Sequence, residues 1–322
     1  MFSFGVISFN QEALIVETLG SIKFQIENFG KEEKFEIILG DDCSKDKTIE
    51  IASKWLEENK YLFKKVIILT NNYNLGINKN YIKVVNNIKN NFKTIAGDDL
   101  FYRHSIFQVL NDFDLVFSLP LAFQFGNIVK SPAKHLLNHY DLTNHHSIIK
   151  NIENGINAIS APGVFIKKEI LKDESLINFI SKFSFSEDIP KWYYLFKIKK
   201  EINYLVTFIP YVMYRVSHGI SVNKNHPLRQ KALEERRIMY ESLGINLLPN
   251  ERRLPKYIDP SRYYDRIKMI CRFTFNKSLS EFKKDFSKEE KEAPMFLDYI
   301  MNNANKFYKR INEEKVYDTN EQ

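Results

Sequence analysis

Two pairs of adjacent aspartates carry the first chemical signal: Asp41-Asp42 and Asp98-Asp99, each preceded by an apolar run and a glycine. A carboxylate at the end of a buried strand is costly unless hydrogen bonds or a divalent cation compensate it. Mg2+ and Mn2+ take one or two protein carboxylates and complete their shells with water and substrate phosphate oxygens. A plainer reading makes Asp98 and Asp99 the cap of a helix over residues 100–110. The recurrence of the pair at a second strand end favours a site for a metal and a nucleotide.

The elements that must position these residues follow from hydrophobic patterning. Residues 2–9 (FSFGVISF) form a short apolar run, read as a buried strand. Leu14, Ile15, Thr18, Leu19, Ile22 and Ile26 then recur at helical spacing. Further strands are expected at residues 35–39, 66–69 and 94–96, with helices over 48–58 and 78–90. Ser44 or Asp46 can cap the first of these two helices. This alternation predicts an α/β fold with a mostly parallel sheet flanked by helices. Such sheets bind ligands outside the carboxyl ends of their strands. Residues 8–12, 41–44 and 98–99 are therefore expected to converge on one crevice. Later strands are expected at 113–117, 158–166 and 205–214, with a polar loop and one helix over 130–155. A boundary near Val222 separates an α/β domain, residues 1–222, from a helical, basic region, residues 223–322.

Composition narrows the function classes. The chain has 322 residues, 44% hydrophobic and 27% charged, which excludes collagenous and wholly disordered proteins. Its two cysteines, Cys43 and Cys271, form no CxxC spacing, so neither a disulfide framework nor a zinc site is expected. A reducing, cytoplasmic setting fits best. Neither a leader segment nor an apolar run of membrane-spanning length is expected. His135 and His139 have the spacing of two zinc ligands on one helical face, but without an HExxH motif they read as a solvated pair. The net charge is +7, and residues 223–322 hold 21 basic against 16 acidic side chains. Basic and aromatic residues interleave over 251–277, yet acidic residues are mixed in and no recognition motif appears, so no nucleic-acid partner is expected. In that stretch Tyr263, Ile267 and Ile270 share a helical stripe flanked by cations. It is expected to pack on the catalytic domain or to lie on an anionic membrane surface.

Four segments taken together resemble a known family. They are Val6-Ile7-Ser8-Phe9-Asn10-Gln11-Glu12, Asp41-Asp42-Cys43-Ser44-Lys45-Asp46-Lys47-Thr48, Asn74-Leu75-Gly76-Ile77-Asn78-Lys79-Asn80 and Ala96-Gly97-Asp98-Asp99. In this order and spacing they look like a family 2 glycosyltransferase of GT-A fold, over roughly residues 4–222, with a helical C-terminal extension. The resemblance implies inverting transfer of a sugar from a nucleotide-sugar donor, usually a UDP-sugar. The acceptor would be a hydroxyl of a glycan or lipid-linked glycan in surface polysaccharide or lipooligosaccharide synthesis. It implies Mn2+ or Mg2+ as cofactor and a cytoplasmic enzyme, peripheral at the inner face of the plasma membrane if the C-terminal region binds lipid.

Residue by residue, Ser8 and Glu12 would border the nucleoside and Asp42 would hydrogen-bond the base. Lys79 and Asn80 would shape the donor side, Asp98 would contact the ribose and Asp99 would bind the metal. The family commonly has another aspartate two residues before Asp98, where this chain has Ala96. Glu187-Asp188 resembles the family's E-D pair, whose aspartate is the catalytic base. A carboxylate within hydrogen-bond reach can take the proton of an acceptor hydroxyl as the C–O bond forms. The alternative is a cap on the helix that follows. Ala161-Pro162-Gly163-Val164 resembles the acceptor-side lining. Arg215 or His218, after the last strand, would contact the diphosphate. A nucleotidyltransferase should instead carry a Gly-rich basic loop where this chain has Asn10-Gln11-Glu12. A non-catalytic, partner-binding relative is the other alternative.

Overall fold

The computed structural model describes residues 1–31, 33–154, 158–184, 188–216, 229–245, 269 and 271–320. Strands β1 (Phe2–Ser8), β2 (Phe35–Asp41), β3 (Lys65–Thr70) and β4 (Asn91–Ala96) pair in parallel in the order β3-β2-β1-β4. Helices α1 (Ile15–Phe29), α2 (Thr48–Glu58) and α3 (Ile77–Asn87) make the crossovers. Side chains alternate across the strands as the pleat requires. Ile37 and Leu39 join Phe4, Val6, Ile15 and Leu19 on the face covered by α1 and α2. Ile38 points the other way, to Val84 and Val85 of α3. Gly40 makes this close approach possible, since a Cβ there would meet Val84 Cγ2 at 2.3 Å.

Winding runs outward from β1 through β2 to β3, and then returns to place β4 on the other side of β1. The reversal is a topological switch point, and the crevice beside it opens at the carboxyl ends of β1 and β4. In register, Ser8 stands opposite Asp41 and Ile7 opposite Ala96. The three polar segments therefore share one end of the sheet.

Two smaller mixed sheets complete the body. One has the order β10 (Tyr204–Thr207), β6 (Leu115–Ser118), β9 (Val164–Ile166). The other has the order β5 (Leu100–Phe101), β11 (Val212–Arg215), β7 (Leu121–Gln124), β8 (Asn127–Val129). Several expectations change here. Residues 100–110 form no helix: Leu100 and Phe101 pair antiparallel with Met213 and Val212, so Asp98 and Asp99 cap nothing. The single strand expected at 205–214 is two strands in different sheets, separated by a segment containing Pro210, which has no amide to give a ladder. Residues 130–155 hold two helices, α4 (Ala133–Asp141) and α5 (His145–Glu153), the second capped by the Asn144 side chain. His139 is not solvated. It is buried, its Nε2 lies 2.9 Å from the Thr207 carbonyl, and burial lowers its pKa to about 4.

Further helices are α6 (Glu174–Ile180), α7 (Asp188–Tyr193), α8 (Arg229–Ser242) and α9 (Lys277–Asn320). Helix α9 has 44 residues, about 66 Å at 1.5 Å per residue. Leu279, Phe282, Phe286, Phe296, Leu297 and Ile300 fill a core with Leu121, Phe123 and Met213. Ala304, Phe307 and Ile311 enter the core under α1 and α2. Phe296 meets Phe24 of α1 with ring centres 4.9 Å apart. Ion pairs from Arg103 to Glu289 and from Arg310 to Glu58 flank this seam. Among the described residues no helix is long and apolar enough to cross a membrane.

Leu297 is fully buried in the core between α9 and the small sheet. Leu297→Ala is expected to lower stability by about 2–5 kcal/mol through lost transfer energy and a residual cavity. Urea denaturation should show this as a lower midpoint with an unchanged slope.

Candidate active site

The loops after β1 and β2 are joined by five hydrogen bonds. Asn10 N donates to Ser44 Oγ at 2.8 Å, and Lys45 N donates to Asn10 Oδ1 at 2.8 Å. Gln11 N donates to Thr48 Oγ1 at 2.7 Å, and Glu12 N to Asp46 Oδ2 at 3.0 Å. Lys47 N donates to Glu12 Oε2 at 2.8 Å. Asn10 adopts the left-handed region, φ 53°, which asparagine tolerates better than most side chains. Glu12 thus places its carboxylate at the N-terminus of α2, where the helix dipole favours negative charge.

Both members of the first aspartate pair are buried and hold the loops from within. Asp41 accepts from Ser44 N at 2.8 Å and from Ser8 Oγ at 3.2 Å. Asp42 accepts from Asn71 Nδ2 at 2.9 Å, Leu75 N at 2.7 Å and Gly76 N at 2.9 Å. A carboxylate has about four acceptor positions, so most of Asp42's capacity is committed to residues 71–76. Asn80 is fully buried and donates to the Gly40 carbonyl at 2.9 Å, which ties α3 to the end of β2. Lys79, beside it, is exposed.

Asn78 extends this framework to the far wall. Its Nδ2 donates to the carbonyls of Ile180 at 3.1 Å and Phe183 at 2.6 Å, just before α7. Asp188 opens α7, is half-buried and has one carboxylate oxygen wholly covered. Lys191, one turn on, lies 4.8 Å from the Trp192 ring centre and 5.2 Å from that of Tyr81. Glu187 and His218 lie outside the described residues, as do Tyr263, Ile267 and Ile270.

The second aspartate pair rests on a buried cation. Arg215 Nε donates to the Asp98 carbonyl at 2.8 Å, and Arg215 N donates to Asp99 Oδ1 at 2.9 Å. The guanidinium also pairs with Glu17 and lies 4.4 Å from the Phe123 ring centre. Thr18 Oγ1 holds the Asp99 carbonyl at 2.8 Å. Arg215 is 4% exposed, so its charge serves the underside of the aspartate turn. Burial raises the Glu17 pKa against the pull of Arg215. Burial, and then the neighbouring Asp98 charge, raise that of Asp99 well above the carboxylate range.

Asp98 is the more exposed of the two. A buried carboxylate whose charge is further disfavoured by an adjacent carboxylate is a donor that a hard dication relieves. Among the described residues no group of three or more His, Cys, Asp or Glu side chains converges. An Mg2+ or Mn2+ on this pair would therefore need donor phosphate oxygens to complete its shell.

Lys93 is a further buried cation. Its Nζ donates to the Pro162 carbonyl at 2.9 Å and the Thr94 carbonyl at 3.0 Å, fastening residues 161–163 beside β4. Gly163 is held tightly in that segment, since a Cβ there would lie 1.8 Å from the Ser118 carbonyl oxygen. Burial, and then the Lys191 charge, lower the Lys93 pKa to about 7, with Asp99 opposing the shift. Glu17, Thr18, Asn78 and Lys93 were not singled out from sequence as site residues. Glu17 had a signal, a charge inside the apolar stripe of α1. Lys93 had another, a cation inside a strand that alternates with core residues.

Arg215→Met is expected to cost about 3–5 kcal/mol, because it leaves Glu17 buried without its countercharge. The double variant Glu17→Met/Arg215→Met should recover part of that loss in urea denaturation. Lys93 is neutral in the folded state above about pH 7, whereas in the unfolded chain it keeps its proton to about pH 10.4. The unfolded state thus binds more protons across this window, so this group makes stability rise with pH from about 7 to about 10.4. Lys93→Met should flatten that part of the stability–pH curve.

Comparison with known proteins agrees with this geometry. Residues 3–161 match the family model described as Glycosyl transferase family 2. No curated protein matches the chain. A crystal structure of S. aureus TarS 1-349 in complex with UDP-GlcNAc superposes with a TM-score of 0.51 at 18% identity, over 86% of this chain and 74% of that one. The same protein in complex with UDP gives a TM-score of 0.50 at 18% identity, over 86% and 73%. Glucosyl-3-phosphoglycerate synthase from Mycobacterium tuberculosis, in complex with Mn2+, UDP and phosphoglyceric acid, gives 0.44 at 15% identity, over 78% and 84%. The parallel sheet, the switch-point crevice and the family match together show that this chain carries a glycosyl transferase family 2 domain with a GT-A-like fold.

Proposed function

We propose that this protein transfers a sugar from a UDP-sugar to a hydroxyl of a glycan or lipid-linked glycan, with inversion at the anomeric carbon. One observation carries the reading. The loops at residues 8–12, 41–48 and 98–99 meet at the switch point, and Asn78 ties the donor-side helix α3 to the segment that leads into Asp188. The likeness to a fold seen with UDP and UDP-GlcNAc supports a uridine donor, with UDP-GlcNAc the first compound to test.

In this reading Ser8 and Glu12 border the nucleoside, and Asp42 shapes the base subsite through the 71–76 loop that it holds. Lys79 and Asn80 form the donor-side wall. Asp98, with Asp99 beside it, would hold Mn2+ or Mg2+, which when bound supplies positive charge for the leaving diphosphate. Arg215 keeps the aspartate turn in place from below. Asp188 takes the acceptor hydroxyl proton as the oxygen bonds to the anomeric carbon. The bond from that carbon to the phosphate oxygen breaks, and its electron pair leaves on UDP. The acceptor side is lined by residues 161–164, held by Lys93.

A thermal-shift panel of nucleotide sugars, with and without Mn2+, tests the donor and the cation together. Ligand at a hundredfold excess over Kd should stabilise the protein by about 2.7 kcal/mol. The largest shift is expected from a UDP-sugar in the presence of Mn2+, and a panel with no shift would refute the reading. Asp188→Asn should lower transfer by about 10²–10⁴-fold while UDP still binds. Full activity in that variant would remove Asp188 from the mechanism.

A further inference from the structure

Tyr308 sits near the end of helix α9, 296 positions after Glu12, yet its hydroxyl donates to the Glu12 carbonyl oxygen at 2.7 Å. Val16 and Glu12 are four residues apart, the separation at which an amide and a carbonyl would close a helical turn directly. Around them the turn is ordinary: Ile15 N donates to the Gln11 carbonyl at 2.9 Å, and Thr18 N donates to the Leu14 carbonyl at 3.4 Å. The Glu12 carbonyl takes the tyrosine hydroxyl instead, and the amides of residues 10–12 reach across to Ser44, Thr48 and Asp46.

The ring cannot simply follow the loop. Phe307, Ala304 and Ile311 lie in the same core as Ile15, Val16 and Leu19, and Arg310 pairs with Glu58 of α2. The Tyr308 hydroxyl thus meets the nucleoside loop from a helix fixed on its other faces. We propose that Tyr308 is a positioning residue for the nucleotide: from the C-terminal helix, its hydroxyl fixes residues 10–12, and through them the 43–48 loop, in the arrangement that receives the uridine diphosphate of the donor. This rests on the reading of the crevice as a UDP-sugar site.

Tyr308→Phe keeps the ring and removes the hydrogen bond to the Glu12 carbonyl. Calorimetry with UDP is expected to show about a 5–10-fold weaker dissociation constant, the effect of one hydrogen bond. The KM for the UDP-sugar should rise in parallel, while kcat at saturating donor stays near the wild-type value. Arg310→Ala serves as the control for the same helix, because it frees Glu58 at the far end of α2 and should leave UDP affinity within about twofold of wild type. Unchanged UDP binding by Tyr308→Phe would overturn the positioning role. So would an equal loss of affinity in Arg310→Ala, which would assign the effect to the helix as a whole. Wild-type protein that gives no heat with UDP would instead overturn the donor reading, and the positioning role with it.

Discussion

Amides at the carboxyl ends of parallel strands must find acceptors once the strands stop pairing. Here acidic side chains meet much of that demand. Asp41 takes Ser44, Asp42 takes Leu75 and Gly76, Asp99 takes Arg215, and Glu12 takes Lys47. Apart from the local Asp41–Ser44 bond, each contact crosses from one loop or element to another, so satisfying the backbone also sets the distances between loops. Charge would accumulate at this end of the sheet, and the buried Arg215 and Lys93 offset part of it from beneath.

Much of this was legible in the sequence. The βα alternation, the four strands that lead to the site and the shared end of residues 8–12, 41–44 and 98–99 follow from apolar periodicity and the geometry of crossovers. What lay beyond reach was which oxygen meets which donor. Asp42 reads as a group that faces a base, yet three of its contacts are internal. Arg215 reads as a loop cation near phosphate, yet Glu17 and the aspartate turn enclose it. Both outcomes depend on partners 29 to 198 positions away, and no local pattern carries that information.

Local signals also misled where tertiary packing overrode them. Residues 100–110 carry helical character, but β11 captures Leu100 and Phe101 as an edge. Pro294 disfavours a helix interior, yet α9 continues through it, with Ala293 before it and Phe296 and Leu297 after it all buried. His139 reads as half of a solvated pair, but the β10 carbonyl of Thr207 gives its ring a buried partner. In each case the burial of a neighbouring face outweighs the preference of a single residue.

The hydrogen bond from Tyr308 to the Glu12 carbonyl has a consequence during synthesis. Chains leave the ribosome from the amino end, and domains tend to fold as they emerge. The first strands and helices can therefore assemble early, while the opening turn of α1 waits for a hydroxyl translated almost three hundred codons later. A nascent or prematurely terminated chain would own the sheet without the finished mouth, so competence to grip a nucleotide would arrive only with the last helix.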